Sequence, residues 1–261
     1  MATRIPIYQI DAFTSRVFSG NPAAVCPLEG WLDDSVLQAI AQENNLSETA
    51  FFVPEEGRYH IRWFTPVAEV DLCGHATLAT AFLILNHFDQ SSGSISFRSR
   101  SGMLRVVREG ELFAMDFPSQ PPSPCATPKE LVEGLGREPS EVLGSEDYLV
   151  LFSSEKDVLD LNPDTRLLMK VDRRGVITTA KGEAVDFISR FFAPKFGVNE
   201  DPVTGSAHCA LIPYWAKKLN KKDLHARQIS QRGGELFCKD RGDRVVIAGQ
   251  AALYLEGYIT I

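Results

Sequence analysis

Four side chains stand out by chemical type and setting. Glu48 lies in Asn44-Asn45-Leu46-Ser47-Glu48-Thr49-Ala50-Phe51-Phe52, a polar phrase that runs directly into an apolar strand. A carboxyl group entering a core must be paired or used, and burial favours its neutral form. That suits a residue that takes a proton and returns it. His75 follows Gly74 in the first turn of an expected helix, where the positive dipole end disfavours imidazolium and leaves a neutral ring able to donate a hydrogen bond. Asp201 and Ser206 belong to Asn199-Glu200-Asp201-Pro202-Val203-Thr204-Gly205-Ser206-Ala207-His208, a run with a carboxylate and hydroxyls at a second helix entrance. Asp201 precedes Gly205 by too many residues for a simple N-cap, so proton transfer or substrate anchoring stands beside capping as its role. Gly74 and Gly205 permit a close turn, and the backbone N–H groups of the first turns, around Ala76 and Ala207, would point outward as an anion-binding end does. A structural histidine and glycines that only relieve crowding are the plainer alternatives.

The elements that must position these residues occur twice. Arg62-Trp63-Phe64-Thr65-Pro66 reads as the same phrase as Arg190-Phe191-Phe192-Ala193-Pro194, displaced by 128 residues (62 to 190). Gly74-His75-Ala76 answers Gly205-Ser206-Ala207 at a displacement of 131 (74 to 205), and Arg100-Ser101-Gly102-Met103-Leu104 answers Arg232-Gly233-Gly234-Glu235-Leu236 at 132 (100 to 232). Kept order with a slowly growing offset predicts an internal duplication, and the period is too long for a solenoid, so two similar lobes facing each other are expected.

Each repeat reads as an aromatic strand ended by proline, a loop and a helix. From Ala76 to His87 the apolar residues almost surround the helix, as in a buried one, whereas its counterpart from Ala207 turns polar at Lys217 and Lys218. Strand-like runs at Leu104–Val107, Leu112–Phe117, Tyr148–Phe152, Val245–Ala248 and Leu253–Ile261 surround these helices. The expected fold is α+β: two pseudo-symmetric lobes, each an antiparallel, barrel-like sheet around one helix. The proline-rich Pro118–Pro124 is the expected linker. Expected boundaries are 1–117, completed by the C-terminal strand 250–261, and 118–249.

Composition bounds the function. The 261 residues are 44% hydrophobic with a net charge of −7 and scattered basic residues, which argues against nucleic acid as a partner. The segment Met1–Ile10 has no signal-peptide pattern, and the longest apolar passage, Leu78–Leu85, is far short of the roughly 20 residues that span a bilayer. A cytoplasmic protein with no membrane partner is expected. Five widely spaced cysteines, with neither a Cys-x-x-Cys pair nor a histidine cluster, suggest reduced, buried thiols and no structural metal.

The motifs resemble the phenazine-biosynthesis PhzF-like family along nearly the whole chain. They are Asp11-Ala12-Phe13, Gly20-Asn21-Pro22-Ala23-Ala24-Val25, Asn45-Leu46-Ser47-Glu48-Thr49-Ala50-Phe51, Arg62–Pro66, Leu72-Cys73-Gly74-His75-Ala76-Thr77 and Glu200–His208. The resemblance implies a diaminopimelate-epimerase-like fold, often a homodimer, with Glu48 as the catalytic acid/base and His75, Asp201 and Ser206 lining the same cleft. It implies isomerisation by a hydrogen shift, with no metal or organic cofactor, on a small anionic metabolite. Fold-level likeness supports reaction type better than substrate identity. Related racemases use one cysteine from each lobe. Here those places hold Cys73 and Thr204, and a threonine hydroxyl is a far poorer base than a thiolate, which speaks against a two-thiol mechanism. A noncatalytic metabolite-binding or protein-interaction protein on the same fold is the other alternative.

Overall fold

The computed structural model describes residues 3–261; Met1 and Ala2, with which the N-terminal segment read above begins, lie outside it. Internal contacts divide the chain into a first unit, which is the chain up to Asp116 together with Ala248–Ile261, and a second unit, Phe117–Ile247.

In the first unit the strand Arg4–Ala12 pairs antiparallel on one side with Ala251–Thr260 and on the other with Asn21–Pro27. Asn21–Pro27 then pairs parallel with Glu48–Glu55, which forms a hairpin with Arg58–Phe64. Arg58–Phe64 pairs antiparallel with Glu69–Val70 and parallel with Ser94–Ser99, and the meander continues through Gly102–Glu109 and Leu112–Pro118. The helix Gly74–Leu83 buries all its residues except Gly74 and Phe82, matching a sequence apolar on nearly every side, and continues as a π-helical turn, Ile84–Phe88. A satellite core of Ile5, Cys26, Leu37, Ile40, Phe51 and Phe64 lies under a second helix, Asp34–Asn44.

The second unit repeats the plan. Glu141–Gly144 and Tyr148–Leu151 are antiparallel, Tyr148–Leu151 and Val176–Lys181 parallel, and Val176–Lys181 and Phe187–Ala193 antiparallel. Phe187–Ala193 pairs antiparallel with Val198–Asp201 and parallel with Asp223–Gln228, which returns antiparallel as Gly234–Asp240. The helix Gly205–Leu219 is buried beyond its first turns, through Trp215 and Ala216, although its sequence ends polar.

Strand pairing within each unit is therefore mixed rather than uniformly antiparallel. A parallel pair needs a crossover too long for a hairpin. Here the crossovers are Asp34–Asn44 and Gly74–Phe88 in the first unit, and the short helices Glu155–Leu159 and Thr165–Leu168 and then Gly205–Leu219 in the second. The proline-rich stretch also differs from a plain linker. Ser123–Pro124 pairs with Leu143 and Gly144, Ser119 N–H donates to Asp243 O and Gln120 N–H to Cys209 O.

The duplication reaches individual side chains. Arg62 grips Glu69 with two hydrogen bonds of 2.7 Å; Arg190 grips Glu200 at 2.7 and 3.0 Å. At the helix entrances, Thr77 Oγ1 donates to the carbonyl of Cys73 and the ring of His208 bonds the carbonyl of Thr204, each four residues back. The two arginine–glutamate pairs differ in spacing, 7 against 10 residues. Among the described residues the 3₁₀ turn Pro194–Phe196 has no counterpart after Pro66, and its three residues match the growth of the offset from 128 to 131.

Candidate functional site

In the first unit a helix exit delivers Glu48. The helix Asp34–Asn44 ends at Asn45, a residue type that tolerates the left-handed conformation it adopts (φ 49°), and its N–H closes on Ala41 O. Asn44 Nδ2 donates to Thr49 Oγ1 at 3.1 Å, tying the exit to the next strand. Glu48 thus becomes the first residue of that strand, opposite Ala23 in the parallel ladder, with its side chain 19% exposed.

Glu48 Oε2 lies 3.2 Å from His75 Nε2, while His75 Nδ1 lies 3.5 Å from Cys73 Sγ. Burial pushes the His75 pKa down to about 3, so the ring is neutral and carries one proton. Nδ1 faces the Cys73 thiol, while Nε2 faces the Glu48 carboxylate at a close approach that lacks hydrogen-bond geometry.

Donor atoms of Glu48, Cys73 and His75 lie within 4.8 Å of one another, a composition that could hold a metal ion. The thiol and a carboxylate oxygen therefore cluster beside the ring.

In the second unit Asp201 ends the strand Val198–Asp201, opposite Phe191. Thr204 Oγ1 donates to Asp201 Oδ2 at 2.5 Å. The loop between them is fixed by Gln228, which accepts from Thr204 N–H at 2.9 Å and donates to Asp201 O at 2.8 Å and to Thr204 Oγ1 at 3.2 Å. Gly205 is the first residue of the helix, followed by Ser206 and the buried Ala207. Ser206 Oγ accepts from Arg174 Nη2 at 3.0 Å, and Arg174 is itself held by Asp147 through bonds of 2.9 and 2.5 Å. His208, fully buried, has its pKa pushed down to about 4, mainly by desolvation, against the opposing effect of its bond to Thr204 O.

Glu48 and His75 are thus brought into contact within the first unit, with Gly74 and Ala76 flanking the histidine. Asp201, Gly205, Ser206 and Ala207 surround the helix entrance of the second unit, where Asp201 and Ser206 have different partners. Neither Gly74 nor Gly205 has a positive φ; both have helical backbone. Among the described residues none of the five cysteines forms a disulfide; four are buried and Cys125 is partly exposed. Among the described residues no helix is long and apolar enough to cross a membrane.

Sequence reasoning missed Arg174, Asp147 and Gln228. Gln228 had a legible signal: Leu224, Ala226 and Gln228 share the inward parity of their strand, and a polar residue there requires buried partners. Asp147 abuts the wholly apolar run Tyr148–Leu151 and posed the question already asked of Glu48.

Comparison with known proteins agrees with this architecture. The model of the family described as phenazine biosynthesis-like protein matches residues 10–257. An uncharacterized isomerase of Pseudomonas aeruginosa is 56% identical over 253 residues, covering 97% of this chain and 98% of its own. The crystal structure of a phenazine biosynthesis protein of the PhzF family from Enterococcus faecalis matches with a TM-score of 0.97 at 46% identity, over 99% of this chain and 100% of that one. A hydroxyproline epimerase from Agrobacterium vitis, 10% identical with a TM-score of 0.65 over 99% and 92% of the two chains, shares the α+β fold alone. The chain belongs to the phenazine biosynthesis-like (PhzC-PhzF) family.

Proposed function

We propose that the chain is an isomerase that moves a proton on a small, carboxylate-bearing metabolite, with Glu48 as the general acid/base. The observation that carries this reading is the 3.2 Å approach of Glu48 to a buried, neutral His75. In the proposed reaction the Glu48 carboxylate removes a proton from a carbon of the substrate. The electron pair moves into the adjoining π-system, and the Glu48 carboxyl returns the proton at another carbon. Each step is a proton transfer between carbon and carboxylate, so no electron acceptor enters the balance. Nε2–H of His75 steadies the carboxylate before transfer. Asp201 orients an amino or hydroxyl group of the substrate, while Ser206 and the backbone N–H groups around Gly74, Ala76, Gly205 and Ala207 bind its carboxylate. We extend the reading to a homodimer, as the family resemblance implies, to be checked by light scattering.

The test is deuterium uptake from D₂O, read by mass spectrometry, into dihydro-3-hydroxyanthranilate and a panel of amino and cyclic carboxylic acids. Wild type is expected to exchange at least one compound, and Glu48→Gln to lose exchange by about 10²- to 10⁴-fold with little loss of binding. Retained exchange removes Glu48 from the central role, and binding without exchange in wild type favours a noncatalytic metabolite binder. The 3.5 Å contact of Cys73 with His75 supports one second reading, a thiol acid/base. Under that reading Cys73→Ala, rather than Glu48→Gln, would abolish exchange.

A further inference from the structure

Resting on the reading of Ser206 as a substrate-binding residue, we infer that Arg174, held by Asp147, is a positioning residue that turns the Ser206 hydroxyl hydrogen away from itself and so sets it to donate toward the substrate's carboxylate. The argument is one of hydrogen-bond polarity. A serine hydroxyl ordinarily donates or accepts as its neighbour requires, whereas a guanidinium only donates. The 3.0 Å contact from Arg174 Nη2 to Ser206 Oγ therefore has one direction, and it occupies an acceptor site on the oxygen. The hydroxyl hydrogen must point away from the guanidinium, where it is free to donate, and one acceptor site remains on the oxygen.

The arginine is fixed well enough to enforce this. Asp147, its side chain only 3% exposed, takes the guanidinium through the Nε and Nη2 edge at 2.9 and 2.5 Å, a planar fork that lysine does not reproduce. The Phe191 ring lies under it with 5.5 Å between the guanidinium carbon and the ring centroid, and Glu146 approaches Nε at 3.5 Å. Asp147 offsets the arginine's charge, so Arg174 contributes direction rather than net attraction. A hydroxyl held this way donates to a carboxylate oxygen in a charge-assisted bond that the neutral carbonyl of a carboxamide makes only more weakly. The inference therefore concerns ligand discrimination, which a merely structural ion pair would leave unchanged.

The test is calorimetric binding of 3-hydroxyanthranilate and its carboxamide to the full-length protein. Wild type is expected to prefer the carboxylate by about tenfold or more, the scale of one charge-assisted hydrogen bond. Arg174→Met and Ser206→Ala should each reduce the preference to about twofold, and combining them should reduce it no further. Because Arg174→Met leaves the Asp147 carboxylate buried, the paired substitution Asp147→Asn with Arg174→Gln supplies a fold-preserving version with no buried charge, and it should lose the preference equally. If Ser206→Ala loses the preference while both arginine variants keep it, the role of Arg174 is overturned and the reading of Ser206 stands. If Ser206→Ala is indistinguishable from wild type, or wild type shows no preference, the reading of Ser206 fails and the inference with it.

Discussion

Lowering the pH from 7 to 5 should destabilise this protein through two histidines that the fold keeps neutral. His75 is 6% exposed and His208 fully buried, and desolvation lowers their pKa values from 6.5 to about 3 and about 4. In the unfolded chain both histidines bind protons below about 6.5, whereas in the folded chain neither does until well below pH 5. The unfolded state thus binds more protons in this window, and stability falls as pH falls. At about 1.4 kcal/mol per pH unit, the 1.5 units from 6.5 to 5 remove roughly 2 kcal/mol per histidine, or about 4 kcal/mol for the pair. Carboxylates held low in the fold, such as Glu55 and Asp186, act mainly below pH 5, where their unfolded forms begin to protonate, so the window isolates the histidines. Partly buried His60, shifted in the same direction, adds a smaller amount. The assay is equilibrium urea denaturation at both pH values for wild type and His208→Gln, which removes one titrating ring outside the proposed machinery. The variant should begin less stable at pH 7 but lose only about half as much on acidification. An equal pH-dependent loss in variant and wild type would refute the reasoning.

Other substitutions probe the duplicated scaffold. Replacing Gln228 with leucine removes three hydrogen bonds and leaves Thr204 N–H without its acceptor, so we expect about 2–3 kcal/mol of destabilisation by urea titration and a fall in substrate exchange as the Asp201 loop loosens. Arg190→Met should cost about 3 kcal/mol or more and exceed Arg62→Met: Glu69 keeps Arg100 at 2.6 Å, whereas Arg190 serves Glu200 and also the carbonyls of Val158 and Leu161. The reverse order in a thermal-unfolding comparison would count against the ion-pair account. A thiol reagent should label Cys125 rapidly in the native protein and all five cysteines only in denaturant, as read by absorbance.

The duplication could be read because the duplicated arginines and the aromatic residues beside them survive as a sequence phrase, and the helices because their apolar faces are broad. Strand direction could not: alternation of apolar and polar residues is the same in parallel and antiparallel pairs, and the parallel pairings depend on where crossover helices leave the chain. The contact of Glu48 with His75 joins residues 27 positions apart, and nothing in their separate motifs states a distance. Arg174 was less legible still, because its partners Asp147 and Ser206 lie 27 and 32 residues away and Arg174 itself lies in none of the repeated phrases. Gln228 illustrates the intermediate case, in which strand parity marks a residue as buried but does not reveal what it holds.

The strand Ala251–Thr260, paired along Arg4–Ala12, has a consequence for how the protein is made. The first unit is written in two pieces, and its N-terminal strand leaves the ribosome long before one of its two neighbours, Ala251–Thr260, exists. The second unit, Phe117–Ile247, is uninterrupted and can complete its own sheet during synthesis. Nascent chains halted after Ile247 should therefore protect the second unit from protease and leave Arg4–Ala12 open to cleavage. The earlier half of the message would then yield the later half of the folded protein, with a bare strand edge exposed to other nascent chains until the last strand arrives.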